Sequence, residues 1–474
     1  MTFASVQFGL LLVTTLALYY FLPRYLRILM LLASSYVFYC YWNPVYGFLI
    51  LVSTLIDYIA ALVIESTTSA ARKRLALAAS VVGNLGMLGY FKYTNFALDN
   101  LRLLLGPLAG HVPGHLDIIL PAGISFYTFQ TMSYTIDVFR GTQRAERDFF
   151  VFALYVSFFP QLVAGPIERA SDLLTQLKVK QPFRAVNLEA GARLFLWGLV
   201  KKLVVSDRIA FYAMPMFRHP EAFHTPELLF AAMAMFVTIY LDFSAYSDMA
   251  RGTARMFGVH LSVNFLKPLS AGNIGEFWRR WHITMSTWVR DYVYMPLGGF
   301  RPRHPWTQLR TTLVTMTLVG LWHGAQWTYV IWGFSHGAMM SIYQYAHLRV
   351  FRRYKHHPLR RTAGWSFASW LFTYLCVSTS AILFFSPSLG QAALFFQRLY
   401  LRPQWAGLEN PTLQIGYAAL AIFLFLHHVE TRRPFVDRIA LLPVWPRAAV
   451  YTLLTIIACT GAVYTSLPFI YFQF

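Results

Sequence analysis

Charged residues and cysteines are both scarce in this sequence. Lysine, arginine, aspartate and glutamate make up only 13% of the 474 residues, whereas ordinary soluble domains carry roughly 25%. With 57% apolar residues, a water-soluble globule would leave much apolar surface in water, so that class is excluded. The three cysteines, Cys40, Cys376 and Cys459, lie in apolar stretches and form no CxxC pair. They therefore predict core packing, and neither a disulfide nor a metal framework.

The few charges are gathered between long uncharged stretches. A helix needs about 20 apolar residues to cross the hydrocarbon core of a bilayer, and several uncharged stretches approach or exceed that length. The longest of them predict a helical hairpin each. The sequence therefore predicts an all-α, polytopic membrane protein of about 11–12 transmembrane helices plus re-entrant or interfacial helices, in a single membrane domain over residues 1–474. The uncharged stretches are residues 1–23, 75–91, 118–136, 149–167, 311–348, 362–397, 411–429 and 448–474.

The chain is strongly basic, with forty lysines and arginines against twenty aspartates and glutamates, a formal charge of +20. In a soluble protein this excess would suggest nucleic acid. In a protein of the lipid bilayer it is better explained by basic cytoplasmic loops, so no nucleic-acid partner is expected. The densest basic run, residues 349–361, lies between two predicted spans and is expected to be cytoplasmic. Alternation of the first spans then places the N-terminus outside.

Residues 242–310 depart from this pattern, because charges recur every few positions while aromatic residues stay abundant. The segment is too polar for lipid contact and too aromatic for a loose loop. It predicts helices that lie at the interface or dip into the bundle, and we expect it to form the cytoplasmic side of a site. Proline-containing stretches at 121–125 and 160–166 interrupt two apolar runs. Each is equally compatible with a proline kink and with a re-entrant turn.

His323 is the clearest candidate for chemistry, because it lies well inside the uncharged stretch 311–348. An imidazole deep in a span is energetically costly, so its presence there indicates a function. Gly320 and Gly324 share a helix face beside it and would let another helix or a substrate approach. The alternative is a core histidine satisfied by a hydrogen bond, which is the structural role we assign to His336, further along the same predicted helix.

His282 is the second candidate, and it stands among aromatic and basic residues. On a helix, Trp278, His282 and Ser286 would share one face. Arg279 and Arg280 would point elsewhere. An interfacial helix with its arginines among the lipid headgroups explains the arginines and tryptophans well. It does not require the histidine, so His282 stays a candidate.

Motifs of soluble hydrolases, nucleotide-binding proteins and metalloenzymes are missing from the sequence: HExxH, GxSxG, a glycine-rich phosphate loop and CxxC. A zinc site on His282 and His323 would need a further ligand that the sequence does not supply, so no metal is expected. The remaining possibility for chemistry is an imidazole that acts as a base near neutral pH. It suits transfer from an acyl thioester, which is already activated. Arg279 and Arg280 would then meet the phosphates of a coenzyme A carrier.

Five motifs follow one another in the middle of the chain. They are GISFYTFQTMSYTIDVFRG at 123–141, AGPI at 164–167, YLDFSAYSD at 240–248, EFWRRWHITMSTWVRDYVYMPLGG at 276–299 and GLWHGA at 320–325. In order and spacing, over most of residues 85–337, they resemble the membrane-bound O-acyltransferase family. The resemblance is strongest to its bacterial branch that includes the alginate O-acetylation protein.

The resemblance implies an activity and roles for residues. His323 matches the family's histidine within a span, as the base or acyl relay in a pore, and His282 matches the second histidine of this branch, which orients it or the thioester. The implied protein is an O-acyltransferase of the bacterial cytoplasmic (inner) membrane. It takes acetyl from cytosolic acetyl-CoA and passes it across the membrane for O-acetylation of an exported polysaccharide. A separate extracytoplasmic, hydrolase-like acetyltransferase partner completes the transfer.

Other functions remain open at this point. Related family members transfer D-alanine to teichoic acid or acetylate peptidoglycan, and the motifs do not separate these acceptors. Outside the enzyme class, a transporter suits broken helices and inward polar residues equally well. However, no inverted repeat is visible and the charges cluster in one segment, which favours the enzyme.

Overall fold

The computed structural model describes residues 1–299, 305–351, 357–429, 435–461 and 469. Over these residues the chain is helical or irregular, without a β-strand. The first α-helices are α1 (Val6–Tyr19), α2 (Arg24–Cys40), α3 (Pro44–Ser66), α4 (Ala70–Leu88), α5 (Thr94–Leu105), α6 (Ile124–Phe139), α7 (Phe149–Ser157), α8 (Ala170–Lys178), α9 (Ala185–Val200) and α10 (Asp207–Arg218). They are followed by α11 (Thr225–Met256), α12 (Ile274–Arg280), α13 (Ile283–Val289), α14 (Pro305–His323), α15 (Trp327–Ala346), α16 (Ala363–Phe385), α17 (Leu389–Phe396), α18 (Pro411–Val429), α19 (Phe435–Ile439) and α20 (Val444–Gly461).

Shorter helical segments join many of these helices. The π-helical segments are Gly89–Tyr93, Lys201–Ser206, Arg290–Gly299, His347–Phe351 and Gln397–Leu401. The 3-10 segments are Gly106–His111, Pro220–Ala222, Pro268–Ser270 and Pro358–Arg361.

Six helical stretches of the described chain are long and apolar enough to cross a membrane. The most apolar part of Thr225–Met256 is 83% buried, whereas that of Val444–Gly461 is 6% buried. The first is therefore surrounded by protein, and the second turns its apolar side chains outward, as contact with lipid requires. The chain is a multi-pass, all-α membrane protein, which confirms the predicted fold class. The other four stretches are Pro44–Ser66, Ala70–Gly110, Ala363–Phe385 and Pro411–Val429.

The described residues pack as two compact units. The first contains residues 1–199 and 245–262, and the second contains the described residues of 200–244 and 263–474. All three cysteines are free. Cys459 is exposed on α20, so its predicted packing in the core is wrong.

The predicted span over residues 149–167 is wrong. Only the nine residues of α7 are helical, and turns follow it. The amide of Gln161 donates to the carbonyl of Phe158 at 3.0 Å, and the amide of Gly165 donates to that of Gln161 at 2.8 Å. Residues 151–168 are all buried. Irregular backbone is tolerated here because protein surrounds it and the turns satisfy their own hydrogen bonds.

The proline-containing stretch at 121–125 also ends in a turn, and this turn packs against the turns that follow α7. Gly123 has φ 78° and precedes α6 directly. A side chain at Gly123 would lie 2.7 Å from the carbonyl oxygen of Leu162. Only glycine combines this φ with so close an approach. At both stretches a turn, and not a proline kink within a longer helix, describes the structure.

The uncharged stretch 311–348 forms the predicted helical hairpin, in the second unit. Helices α14 and α15 cross where Gly320 faces Gly333, and a Cβ on Gly320 would lie 2.9 Å from the Cα of Gly333. The close approach predicted at Gly320 is confirmed. Gly324 lies beyond the end of α14, where a Cβ would overlap the ring of Tyr329. Because α14 ends at His323, His336 lies on α15, and its predicted place on the same helix as His323 is wrong.

Candidate active site

The aromatic segment after α11 makes a tight turn at His282. Helix α12 ends two residues before His282 and α13 begins directly after it. The backbone of His282 is left-handed, with φ 41° and ψ 56°, a conformation that residues other than glycine adopt rarely. The helix face predicted for Trp278, His282 and Ser286 is therefore wrong. The Ser286 hydroxyl instead donates to the carbonyl of Trp281 at 3.1 Å.

Asn264 holds this turn in place. Its backbone carbonyl accepts from the amide of Ile283 at 2.9 Å. Its Oδ1 accepts from the Thr284 hydroxyl at 2.6 Å and from the Thr284 amide at 3.3 Å. The same oxygen lies 3.4 Å from Nδ1 of His282. Because an amide oxygen has no proton to donate, this contact assigns the ring proton to Nδ1 and the lone pair to Nε2.

His282 is completely buried among aromatic rings, with 0% exposure. The ring of Phe243 meets it edge-on, with 4.6 Å between centroids. Burial lowers the pKa of the His282 imidazole to about 3, because removal from water disfavours the charged form. His282 lies on the connection between two seven-residue helices, outside the membrane-spanning helices, and its imidazole is neutral at physiological pH.

His323, the last residue of α14, is 3% exposed and is also surrounded by rings. Trp322, Trp332 and Phe384 meet its ring edge-on, at centroid distances of 4.9, 5.2 and 5.5 Å. Trp322 in turn lies 6.1 Å from the ring of His282. One indole therefore contacts both predicted histidines. The structure brings His282 and His323 into a single aromatic cluster within the second unit.

His336 belongs to the same aromatic cluster, a position that sequence reasoning missed. Its ring lies 4.7 Å from Trp332 and 5.4 Å from Trp278 between centroids, and the residue is 0% exposed. The signal was present in the sequence, because His336 shares with His323 the position inside an uncharged stretch. The two histidines are joined through Trp332, since its ring contacts both.

The two predicted phosphate-binding arginines differ in their surroundings. Arg279 is exposed at the end of α12. Arg280 is half-buried and pairs with Glu276, with 2.5 Å between Nη2 and Oε1. Glu276 also accepts from the amide of Gly272 at 2.8 Å. Arg280 is thus committed to holding the start of α12, and Arg279 is the arginine whose guanidinium faces outward.

A buried ionic cluster in the second unit is a further candidate that sequence reasoning missed. Nζ of Lys202 lies 2.7 Å from Oδ1 of Asp207 and 2.7 Å from Oδ1 of Asp242, and all three side chains are at most 3% exposed. Charges inside a membrane protein are expensive unless paired. The available signal was Asp242 itself, an acidic residue in the middle of helix α11 that directly follows the uncharged, largely apolar stretch 228–241.

Among the described residues, no three histidine, cysteine, aspartate or glutamate side chains lie close enough together to hold a metal ion. What the aromatic cluster does provide is neutral imidazole in surroundings of low polarity. Such a group can take a proton from a hydroxyl, and low polarity strengthens every hydrogen bond to a developing charge.

A comparison with protein families identifies the family of the chain. The model of the membrane-bound O-acyltransferase family matches residues 140–386. That range includes Asn264, His282, His323 and His336. The chain belongs to the membrane-bound O-acyltransferase family. It is accordingly an O-acyltransferase.

Similar proteins acylate bacterial polymers. The probable alginate O-acetylase AlgI of Pseudomonas putida is 36% identical over 435 residues, which are 88% of this chain and 86% of that protein. The peptidoglycan O-acetyltransferase of Helicobacter pylori is 34% identical over 396 residues, 78% of this chain and 73% of that protein. The teichoic acid D-alanyltransferase of Bacillus subtilis is 27% identical over 267 residues, 53% of this chain and 65% of that protein. The chain is thus an acyltransferase related to the alginate O-acetylases.

Proposed function

We propose that this O-acyltransferase takes an acetyl group from cytosolic acetyl-CoA and passes it across the membrane for O-acetylation of an exported polysaccharide. The observation that carries the proposal is the shared aromatic cluster of His282 and His323, joined through Trp322. The similarity to AlgI proteins over 88% of the chain supports acetyl as the acyl group and a polysaccharide as its destination.

The proposed reaction needs a proton acceptor and little else. The thioester carbon of acetyl-CoA accepts a nucleophile without further activation. As the oxygen of the acceptor hydroxyl attacks it, His323 takes the hydroxyl proton, and the carbon–sulfur bond breaks. The coenzyme A thiolate then takes up that proton and leaves as the thiol, so atoms and charges balance. His323 acts as the base or as an acyl relay.

His282 would orient His323 or the thioester in this scheme. Its own position is set by the left-handed turn and by Asn264, whose Oδ1 faces Nδ1. A group held in this way presents its lone pair in one direction, which is what positioning of a substrate or a base requires.

The donor would enter from the side formed by residues 242–310. Guanidinium groups bind phosphate through paired hydrogen bonds, and indoles offer a face for the adenine. Arg279 and Arg280 are the proposed contacts of the carrier's phosphates. The exposed position of Arg279 makes it the better supported of the two.

The proposed setting is the bacterial cytoplasmic (inner) membrane, with the N-terminus outside and residues 349–361 in the cytoplasm. Of that basic run, residues 352–356 lie outside the described residues. The proposed partner is an extracytoplasmic, hydrolase-like acetyltransferase that completes the transfer to the polysaccharide.

The test combines chemistry and phenotype. Purified protein in detergent is given acetyl-CoA labelled in the acetyl group, and release of coenzyme A is followed with the fate of the label. We expect consumption of the donor, and we expect deletion of the gene to remove O-acetyl groups from an exported polysaccharide. A protein that leaves acetyl-CoA intact while the deletion leaves all cell-surface polymers acetylated would refute the proposal.

Peptidoglycan is the second candidate acceptor, because the Helicobacter pylori relative covers 78% of this chain at 34% identity. The deletion strain separates the candidates when ester content is measured in parallel in exopolysaccharide and in peptidoglycan. Loss of D-alanyl ester from teichoic acid would instead indicate the activity named for the Bacillus subtilis relative.

A further inference from the structure

The hydrogen bonding of His336 determines which of its ring nitrogens carries the proton. Nε2 lies 2.8 Å from the hydroxyl oxygen of Ser380. That hydroxyl donates its only proton to the carbonyl of Val377 at 2.7 Å. The Ser380 oxygen therefore accepts, and Nε2–H of His336 donates. In the neutral ring the lone pair is then on Nδ1, which points to a proton acceptor at that nitrogen.

The acceptor nitrogen of His336 lies beside a tryptophan whose donor is also unused. Neither Nδ1 of His336 nor Nε1 of Trp278 has a hydrogen-bond partner among the described residues, and both atoms are buried. The rings are nearly perpendicular, at 83°, with 5.4 Å between centroids. Buried polar groups are nearly always satisfied, so a donor and an acceptor without partners on two rings in contact require an explanation.

We propose that Trp278 and His336 together bind one alcohol hydroxyl group, that of the acyl acceptor. A hydroxyl is the simplest group that satisfies both atoms, because its oxygen accepts from Nε1–H of Trp278 while its proton is donated to Nδ1 of His336. Water offers the same chemistry and is the competing source. Identifying this hydroxyl group as that of the acyl acceptor rests on the acyl transfer proposed above. The binding of a hydroxyl group at this place does not rest on it.

The position of the pair connects it to the chemistry. Trp332 contacts both His336 and His323, with centroid distances of 4.7 and 5.2 Å. A hydroxyl held at Nδ1 of His336 is also polarised, because hydrogen bonding to an imidazole nitrogen draws its proton away from oxygen. His336 thereby becomes a second imidazole for the acceptor, beside the His323 proposed for the transfer itself.

Variants can separate the two atoms of His336. In His336→Gln the amide reaches the position of Nε2 and can still donate to Ser380, but the acceptor at Nδ1 is lost. In His336→Asn the amide oxygen takes the position of Nδ1 and the acceptor is kept. Trp278→Phe keeps a ring and removes only the donor. Trp370→Phe is the matched control, because Nε1 of Trp370 already donates to the carbonyl of Leu269 at 2.8 Å.

The probes are methyl glucoside and its fully O-methylated form, which lacks a hydroxyl. The first readout is the thermal shift that each sugar gives the purified full-length protein, since a ligand of the folded state stabilises it. The second is the KM for methyl glucoside as acetyl acceptor, beside the rate of acetyl-CoA hydrolysis. We expect His336→Gln and Trp278→Phe to lose the thermal shift and to raise the KM about tenfold. Wild type, His336→Asn and Trp370→Phe should keep the thermal shift and the wild-type KM. The O-methylated sugar should stabilise none of these proteins.

Each other outcome has a definite meaning. Unchanged KM and thermal shift in both Trp278→Phe and His336→Gln overturn the site. A fall in acetyl-CoA hydrolysis with an unchanged KM for the sugar assigns the site to water and overturns the alcohol. If wild type leaves acetyl-CoA intact but methyl glucoside still stabilises wild type and His336→Asn, the proposed acyl transfer fails while the hydroxyl site stands.

Discussion

At the scale of single residues, His323 should be indispensable for chemistry and dispensable for folding. Alanine at the last position of α14 removes the imidazole without interrupting the helix, so we expect His323→Ala to insert and accumulate normally while acetylation falls at least about 100-fold. The ester content of the glycan and the amount of protein in the membrane are measured together. His219→Ala, at an exposed histidine, is the control. Wild-type acetyl content in His323→Ala would contradict the assignment.

Part of the candidate site follows from the sequence, for an identifiable reason. An imidazole inside an uncharged stretch stands out because lipid and apolar protein both disfavour polar groups, and this argument found His323. It says nothing about which rings surround the imidazole. The role of Trp322 between His282 and His323 depends on a left-handed turn at His282, and no pattern of apolar residues predicts a single positive φ at a histidine.

The buried imidazole of His282 should make stability depend on pH. Burial lowers its pKa to about 3 in the folded protein, against 6.5 for an imidazole in water. Above pH 6.5 both states are neutral. Below it the unfolded chain binds a proton that the folded protein does not, so the free energy of unfolding falls by about 1.4 kcal/mol per pH unit until the folded pKa is reached.

Thermal unfolding in detergent at pH 7 and pH 5 tests this dependence. His282→Asn keeps a residue that tolerates the left-handed backbone and removes the titration. Its melting temperature should fall less between the two pH values than that of the wild type. His219→Asn, at an exposed position, should behave like the wild type. An identical fall in His282→Asn would show that His282 is accessible to protons in the folded state.

Replacing the two arginines of α12 one at a time should have different effects on donor binding and on folding. Arg279→Gln removes an exposed guanidinium and is expected to weaken acetyl-CoA binding about tenfold with little effect on folding. Arg280→Gln leaves Glu276 without its ion-pair partner, so we expect less folded protein. Calorimetric titration with acetyl-CoA, done on the folded fraction of each variant, measures the difference. Unchanged affinity in both variants would make the arginines structural or lipid-facing.

At the scale of elements, the crossing of α14 and α15 depends on the absence of a side chain at Gly320. A Cβ there would lie 2.9 Å from the Cα of Gly333 and would overlap the carbonyl oxygen of Tyr329. We expect Gly320→Ala to destabilise the protein by about 1–3 kcal/mol, because the two helices must move apart. Gly9→Ala on α1 is the matched control, since nothing lies within 4 Å of a Cβ there. Equal melting temperatures would mean that the crossing adjusts freely.

Helices were predictable where an apolar stretch is helical throughout and misjudged where protein surrounds irregular backbone. The hairpin of α14 and α15 follows from the length of the stretch 311–348. The stretch 149–167 is also uncharged and apolar, but its turns are buried and close their own hydrogen bonds. Apolar composition indicates burial away from water. In a membrane protein it does not show whether lipid or protein surrounds the segment.

At the scale of the whole molecule, the distribution of charge predicts which side of the membrane each loop occupies. Basic loops stay in the cytoplasm, so a cysteine placed at 360 should react only after the membrane is opened. A cysteine at residue 2 should react in intact cells. Both are introduced in a background without Cys40, Cys376 and Cys459. Reaction of the cysteine at 360 with an impermeant maleimide from outside would reverse the orientation.

The left-handed backbone at His282 also limits how the gene can change over time. Alanine, valine or leucine at this position would strain the turn, with a penalty of roughly 1–2 kcal/mol added to the loss of the imidazole. Asparagine tolerates the conformation, and a single nucleotide change converts a histidine codon into an asparagine codon. Asparagine is therefore a replacement for His282 that a homologous gene reaches in one step without straining the turn. Such a homologue would keep the local fold at this position, and its activity would show how much the reaction depends on the imidazole.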